Sequence, residues 1–240
     1  MKKSFLYLIF ICSCFISLDA QEIKYNSLTK IATHSDLNAF MSYYYTNPKV
    51  ELNPSAINFI LEKKLNADKE NERHIVPFFA QIFKVHDDKI PVWLGDLNHL
   101  SDDDKFIFAH AMFLSQGVNG KKEILKYLKS TENEELKQVF TKLSSDRKPI
   151  DLRSIPLTKP VYLDMLWNSF FATGDVTFLD KLLLATETKK KSIDEVFIYS
   201  AARWSFKSIA QNHKKVFEFC IKNKGKHTKD INEFLAEFEE

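Results

Sequence analysis

The sequence contains few of the residues that mark several classes of protein. Its 240 residues include only five glycines, seven prolines and three cysteines, and 34 basic residues stand against 32 acidic ones, for a net charge of +2. These counts exclude collagen-like, low-complexity and disulfide-scaffold chains. The near balance of charge also argues against nucleic-acid binding, which needs clustered Lys and Arg. The 21 Phe, 8 Tyr and 3 Trp supply enough apolar area for a globular protein.

The first twenty residues have the pattern of a secretory signal peptide. Lys2 and Lys3 precede an almost uninterrupted apolar run over residues 5–18, and a polar segment starts after Ala20. The run is too short to span a bilayer comfortably, and no later stretch approaches about 20 apolar residues. We therefore predict a signal peptide over residues 1–20, cleaved after Ala20, no membrane span in the mature chain, and export to the periplasm or the extracellular medium. Lipoprotein processing at Cys14 is the disfavoured alternative, because the apolar run continues beyond it.

Removal of residues 1–20 leaves Cys220 as the single cysteine, so an intrachain disulfide is impossible. Its apolar neighbours, among them Val216 and Phe219, predict a buried and inert thiol. The chain has no usable acceptor for N-linked glycans, because Asn53 is followed by Pro54. This favours a bacterial envelope over a eukaryotic secretory route.

Apolar residues recur at helical spacing along nearly the whole mature chain, and alternating runs bounded by hairpin turns are absent. The pattern predicts an all-α protein of about ten to twelve helices joined by short loops. Helix starts are marked by polar residues that can cap free backbone amides. The predicted caps are Ser35, Asn53, Ser101 with Asp104, Thr131 with Glu134, Thr158, and Ser192 with Glu195.

Two segments 57 residues apart repeat one another in outline. Phe113–Gly117 and Phe170–Gly174 each combine an aromatic stripe with a glycine, and a second amphipathic helix follows each. We expect Gly117 and Gly174 to end their helices with a positive φ. The repeat favours stacked antiparallel helix hairpins that form a right-handed superhelix, a TPR-like α-solenoid, over a closed bundle. The similarity to tetratricopeptide arrays is one of hairpin style only, because the 34-residue period is missing.

The segment 144–160 interrupts the helical pattern. Pro149, Pro156 and Pro160 are spaced too closely for a helix, so the segment is predicted to be an extended connector. The mature chain is thus divided into an N-terminal helical half, residues 21–143, and a C-terminal helical half, residues 161–240. Both halves are heavily apolar, which predicts one continuous core or two tightly docked subdomains.

Motifs for catalysis, cofactors and metals are absent from the sequence. The run Gly117–Lys122 has the wrong glycine gap for a phosphate-binding loop, and no G-x-S-x-G elbow occurs. None of the seven histidines forms H-E-x-x-H or pairs with Cys220 at a zinc-ligand spacing. We therefore predict no catalytic residue, no cofactor and no metal site. His110, within an apolar run, is expected to be a core histidine bonded to a backbone carbonyl.

Aromatic residues give the candidate partner-binding positions. Tyr43, Tyr44 and Tyr45 occupy three sides of a helix whose buried stripe includes Tyr44, so Tyr43 or Tyr45 should be partly exposed and could anchor a partner. The alternative is that all three bridge adjacent helices. Arg203, beside Trp204, is either a buried residue paired with a carboxylate or the floor of a binding groove.

The helix around Arg203 is apolar over much of its circumference. Phe197 and Trp204 occupy one face and Phe206 another, so the helix is expected to be central in the fold. Trp93 and Trp167 are expected to be core anchors for the same reason.

The stretch Leu163–Asp180, with its Phe170–Asp175 core, together with Ala201–Ser205 and Pro77–Ala80, resembles a family of exported bacterial α-helical repeat proteins without an assigned activity. The resemblance covers most of the mature chain. It implies the fold and export, and it carries over no catalytic residue.

These patterns predict an exported, non-enzymatic helical-repeat protein that presents a groove to a protein or peptide in the periplasm or cell envelope. One alternative is an envelope enzyme that cleaves peptidoglycan or another glycan with a pair of carboxylates. The sequence singles out no such pair, because its candidate carboxylates adjoin lysines or helix starts. The other alternative is a carrier of an apolar ligand, held in a cavity lined by Phe.

Overall fold

The computed structural model describes residues 18–94, 101–145, 147–187 and 192–239. Within these ranges the chain forms thirteen α-helices, a few 3₁₀ segments and no strand, which confirms the predicted all-α class. Most of the predicted signal peptide, including Cys14, lies outside the described residues. The helices are Leu18–Ser27 (α1), His34–Tyr43 (α2), Asn53–Glu62 (α3), Lys69–Val85 (α4), Ile90–Leu94 (α5), Asp102–Ser115 (α6), Val118–Ser130 (α7), Glu134–Ser144 (α8), Val161–Thr173 (α9), Thr177–Leu184 (α10), Ile193–Ala210 (α11), Lys214–Asn223 (α12) and Lys229–Ala236 (α13).

The helix starts follow local capping chemistry, although several lie away from the predicted caps. The capping boxes of Ser101 with Asp104 and of Ser192 with Glu195 are confirmed. Four predicted caps are wrong. Thr33 caps α2 instead of Ser35, Leu52 precedes α3 in place of Asn53, Asn133 caps α8 instead of Thr131, and Pro160, not Thr158, is the last residue before α9.

The two predicted hairpins are present as α6–α7 and α9–α10, each a pair of consecutive helices in contact. Gly174 has the expected positive φ of 66°. Gly117 does not, because its φ is −74° and the left-handed residue is Gln116, with φ 61°. Gly117 is needed for a different reason. A Cβ there would lie 1.9 Å from Oδ1 of Asp87, whose carboxylate accepts hydrogen bonds from the Asn119 and Gly120 amides at the start of α7.

Two aromatic-rich clusters form the core. The N-terminal cluster is built mainly from α2–α8 around fully buried Phe rings such as Phe78 and Phe79, whose centroids are 5.4 Å apart. The C-terminal cluster runs from Leu152 to Leu235 and includes Trp167, which packs edge-on to Phe206 at 5.0 Å. The predicted connector contributes Leu152 to this second cluster, and the described part of residues 145–160 contains one short 3₁₀ segment but no α-helix.

Helix α4 is the central element of the fold. It packs against α6 in its own half and against α9 in the other, and these two contacts are the most extensive in the described part of the molecule. Since α2 also packs against α9, the two halves meet along α9. The side chains on and around α9 therefore form the contact between the two halves.

Candidate functional site

The C-terminal end of α9 lies beside the tyrosines that the sequence singled out. Tyr43 is the last residue of α2, and Tyr45 is in the 3₁₀ segment that follows it. Of the two, only Tyr45 is partly exposed, because Tyr43 is 3% exposed and its hydroxyl donates to the carbonyl of Asn212 at 3.1 Å. Burial also raises the pKa of Tyr43 to about 12, so the hydroxyl keeps its proton at neutral pH and remains a hydrogen-bond donor.

His213 connects these tyrosines to the C-terminal half. Its ring is 6% exposed and stacks on Tyr43 with 4.6 Å between centroids, and it also contacts Phe171 at 5.1 Å. Its Nδ1 lies 3.1 Å from the Tyr45 hydroxyl. Burial lowers the pKa of His213 to about 4, so the imidazole is neutral at pH 7. Sequence reasoning missed this residue, because its tyrosine partners are about 170 residues away along the chain and it carries no local motif.

Helix α12 begins directly after His213 with free backbone donors. His213 is the residue before the helix, and its side chain makes no cap. Its carbonyl accepts from Val216 and Phe217, whereas the amides of Lys214 and Lys215 meet no acceptor among the described residues. The start of α12 therefore carries two free N–H groups and the positive end of a helix dipole.

Lys215 extends along the surface from this helix start. Its Nζ is 5.9 Å from the centre of the Tyr45 ring and 3.0 Å from the point that a Cβ on Gly174 would occupy. Within the part of the chain that the structure describes, this ammonium has no carboxylate within 4.0 Å. The neighbouring Lys214 does have one, since its Nζ is 3.6 Å from Glu218. Gly174 thus leaves room for an unpaired cation beside an aromatic ring.

Together these side chains line a groove of about 370 Å³ between the end of α2 and the start of α12. We call it the Tyr45–His213 groove. Its lining residues are Glu22, Tyr43, Tyr45, Thr46, Asn212, His213, Lys214, Lys215 and Glu218. The groove combines aromatic surface with two carboxylates, two ammonium groups and free helix amides, a mixture that suits recognition of a polar or peptide ligand.

A smaller cavity of about 140 Å³ lies between the α4 end and the connector. Its charged lining includes Arg153, which pairs with Asp151 at 2.9 Å and faces Asp175 at 3.6 Å. Because these charges satisfy one another, this cavity offers less to a ligand than the Tyr45–His213 groove.

The N-terminal end of α9 carries a different arrangement, which we call the Asp164 cluster and which contains Glu70, Arg73, His74, Asp164 and Asn168. Arg73 forms ion pairs with two carboxylates: its Nε lies 3.2 Å from an oxygen of Asp164, and its Nη1 lies 3.0 Å from Glu70. Burial raises the pKa of Asp164 to about 6 despite the nearby guanidinium. Burial, together with Arg73, lowers the pKa of His74 to about 4.

His74 in this cluster faces donors on both sides. Its Nδ1 lies 3.0 Å from the amide nitrogen of Asn168, which also donates to the Asp164 carbonyl, and its Nε2 lies 3.3 Å from Nε of Arg73. A protonated imidazole needs acceptors at both nitrogens and finds none here. The geometry therefore agrees with the lowered pKa.

His110 differs from expectation. It is half-buried, and its Nδ1 lies 2.7 Å from a carboxylate oxygen of Glu72 rather than from a backbone carbonyl. The sequence showed the apolar neighbours of His110 in α6 but not the acidic residue that α4 brings to it.

Arg203 lies apart from the tyrosines and does not line the groove. Its Nη2 donates to Asp230 at 3.0 Å and its Nε to the carbonyl of Thr186 at 3.1 Å, and its guanidinium lies over the rings of Tyr199 and Phe234 at 4.5 and 4.9 Å. These contacts match the structural alternative, in which Arg203 is paired with a carboxylate.

The helix that carries Arg203 was expected to be central in the fold, and this prediction is wrong. One face of α11 is exposed, with Ile193 at 76%, Phe197 at 60% and Trp204 at 40%. The opposite face, with Ala202 and Phe206, packs into the C-terminal core. Periodicity identified two apolar faces, of which one is buried in the C-terminal core and the other is largely exposed. Trp93 and Trp167 are buried as expected.

Cys220 is fully buried, as expected, and burial raises the pKa of its thiol to about 12. Among the described residues no group of three or more His, Cys, Asp or Glu side chains has the arrangement of a metal site. None of the helices in the described ranges is both long and apolar enough to cross a membrane.

No protein-family model matches the chain, and neither curated proteins nor solved structures show a significant similarity to it.

Proposed function

We propose that the mature chain is an exported, non-enzymatic helical protein that binds a protein or peptide partner in the periplasm or cell envelope. The observation that carries the proposal is the Tyr45–His213 groove, where a tyrosine selected from the sequence lies beside helix amides and a lysine that have no partner within the described ranges. Grooves of this kind recognise extended polar segments through a few oriented donors and an aromatic wall.

The arrangement of helices supports the proposal. The hairpins α6–α7 and α9–α10 stand at the spacing of the internal repeat, and α4 packs between the first helices of both hairpins. We propose that these hairpins are units of a TPR-like stack, because stacked helix pairs create concave surfaces for partners.

Export agrees with the packing of α1. Cleavage after Ala20 would remove the first three residues of this helix and leave Tyr25, which is fully buried and donates its hydroxyl to the Asn47 carbonyl. The remaining turns would therefore stay attached, with Glu22 at the groove. Intact-mass measurement of the exported protein tests this step. A first residue other than Gln21 contradicts the cleavage site.

The binding proposal can be tested by site-specific photocrosslinking in cells. A photoreactive residue at Thr46, an exposed position on the groove, should capture a protein or peptide, whereas the same residue at Lys142, exposed on α8, should not. The captured partner is then purified and its affinity is measured. We expect Thr46→Arg, which blocks the groove from the rim, to weaken binding at least about tenfold. Equal capture at both positions, or capture of lipid or glycan only, contradicts the proposal.

A hydrolysis assay tests the non-enzymatic part. Release of soluble fragments from cell-wall glycan by the purified chain, abolished by substitution of one carboxylate, would show that the protein is an enzyme.

A further inference from the structure

We propose that the exposed face of α11 is the interface of a homodimer, in which the α11 helices of two copies of the chain pack antiparallel about a two-fold axis. This face, which we call the α11 stripe, consists of Ile193, Phe197, Ser200, Trp204 and Ser208. The inference goes beyond the proposed function and is independent of it, because α11 contributes no residue to the lining of the Tyr45–His213 groove.

The members of the α11 stripe have the spacing of a seam between two packed helices. From Ile193 onwards they recur after four, three, four and four residues. Side chains at this spacing lie along one face of a helix and interlock with those of a neighbouring helix. Here the face lies on the surface, since Ile193, Phe197 and Trp204 are 76%, 60% and 40% exposed. Ala202 and Phe206, on the opposite face, already pack into the C-terminal core. The exposed seam therefore fits a helix from outside the chain.

The α11 stripe is complementary to itself. Its midpoint lies just after Ser200, and Phe197 and Trp204 are equally distant from this midpoint in opposite directions. When two copies of α11 pack antiparallel about the midpoint, Phe197 of each copy lies level with Trp204 of the other. Ile193 lies level with Ser208 in the same way, so a large side chain meets a small one. A two-fold interface requires a surface that fits itself in this manner.

The charges of α11 favour the antiparallel direction. Asp194 and Glu195 are in the first turn of the helix, and Lys207 is in the last turn. Antiparallel packing brings the acidic start of one copy level with the basic end of the other and opposes the two helix dipoles, whereas parallel packing brings like charges together. Lys207 also pairs with Glu237 of its own chain. The charges therefore select the direction, and the apolar side chains supply most of the affinity.

The area of the exposed face matches that of a dimer interface. Four apolar side chains of α11 are at least 40% exposed, namely Ile193, Val196, Phe197 and Trp204. An aromatic side chain can bury about 150 to 250 Å² and an aliphatic one somewhat less, so these four leave roughly 400 Å² to be covered. A stable interface buries about 800 Å² per partner, a little over half of it apolar. The polar residues beside the stripe, such as Ser200 and Lys207, supply the remaining area.

Sedimentation velocity of the mature chain measures the association directly. Between about 1 and 200 µM, a range that covers micromolar affinity, we expect a change from monomer to dimer. Phe197→Glu places a charge within the α11 stripe and should weaken the dimer at least about tenfold. Val85→Glu is the matched control, because Val85 is 69% exposed at the end of α4, in the other half of the chain. This variant should associate as the native chain does.

Disulfide trapping tests the position of the two-fold axis. The Ser200 side chains of the two copies lie beside the axis, so Ser200→Cys should form a disulfide-linked dimer under mild oxidation. Gln211→Cys is the control at the end of the same helix. Position 211 is also exposed, but its two copies would lie about 30 Å apart, too far for a disulfide. The native Cys220 is fully buried and does not contribute.

Each outcome supports or overturns the dimer. A monomer throughout the concentration range overturns it, whether or not the chain then binds lipid vesicles or a peptide through the same face. A dimer that Phe197→Glu leaves intact also overturns it, because another surface then joins the copies, and so does equal trapping at positions 200 and 211. The cysteine variants decide the question if Phe197→Glu does not fold. None of these results bears on capture at Thr46, so this inference and the proposed function fail separately.

Discussion

The two ends of α9 join the halves of the molecule by opposite means. At the C-terminal end, neutral rings of Tyr43, Tyr45 and Phe171 enclose His213. At the N-terminal end, Arg73 and Asp164 meet as charges within a half-buried polar network. The aromatic contact gains dispersion and burial without taking a full charge out of water, whereas the ionic contact must offset the desolvation of both ions. We therefore expect the cage of rings around His213 to hold the halves together more strongly than the Asp164 cluster does.

The strongest test of this comparison is the removal of the caged ring. We expect His213→Ala to lower the free energy of unfolding by about 2 to 4 kcal/mol, because three aromatic neighbours lose their contacts and a cavity remains. Urea unfolding at pH 7 measures the change. His227→Ala is the control, because this histidine is only half-buried and its ring makes a long hydrogen bond, 3.5 Å, with Asn223. Similar losses in both variants would contradict the special role of the cage.

The acid dependence of stability gives the next largest effect. The folded-state pKa of His213 is about 4 and the unfolded value is 6.5, so the unfolded chain binds more protons and stability falls as the pH drops from 6.5 towards 4. The shift corresponds to at most about 3 kcal/mol. His213→Gln should flatten this part of the profile, as measured by urea unfolding from pH 7 to pH 4. His74 contributes a loss of the same sign, which remains in the variant. An unchanged slope in His213→Gln would be inconsistent with a buried, neutral imidazole.

A backbone position beside the cage should show an intermediate effect. Gly174 and Gly225 both have a positive φ, 66° and 78°, so alanine is strained at each by about 1 kcal/mol. At Gly174 the new Cβ also lies 3.2 Å from the Tyr45 ring and 3.0 Å from Nζ of Lys215, whereas at Gly225 no atom lies within 4 Å. We expect Gly174→Ala to cost about 1 kcal/mol more than Gly225→Ala in thermal unfolding. Equal losses of stability in the two variants would show that Tyr45 and Lys215 move aside for the new Cβ at no cost.

The sequence was informative where structure is local. Helical periodicity predicted the all-α class, and the capping pairs at Ser101 and Ser192 were correct because both partners lie within one turn. Prediction from the sequence failed where the role of a residue depends on a contact with a residue far away in the chain. Asp87, 30 residues away, leaves no room for a side chain at position 117, which is why glycine is needed there. Contacts across about 170 residues make His213 part of the groove. Periodicity also could not show which face of α11 is covered, because that depends on how the helices pack.

The smallest expected effect is at the ionic end of α9. The pKa of Asp164 is raised to about 6 from 3.8, so its ionised form is disfavoured in the folded state, and stability from this group rises as the pH falls from about 6 to 4. Asp164→Asn keeps the shape and removes the charge. We expect a net change of less than about 1 kcal/mol at pH 7, neutral or stabilising, because loss of the ion pair with Arg73 offsets the removal of a partly exposed charge. The change should fade only as the pH falls towards 4, where the carboxyl is protonated in the unfolded chain as well.

Asp151→Asn is the matched control for that measurement. Asp151 accepts hydrogen bonds from Arg153, which lowers its pKa, so its contribution is present at pH 7 and is lost only as the pH falls below the ordinary carboxyl range. The asparagine variant should therefore be destabilised at pH 7, the opposite sign from Asp164→Asn. If Asp164→Asn costs more than His213→Ala, the ionic contact holds the halves together more strongly than the aromatic cage does, because a single charge would then outweigh three rings.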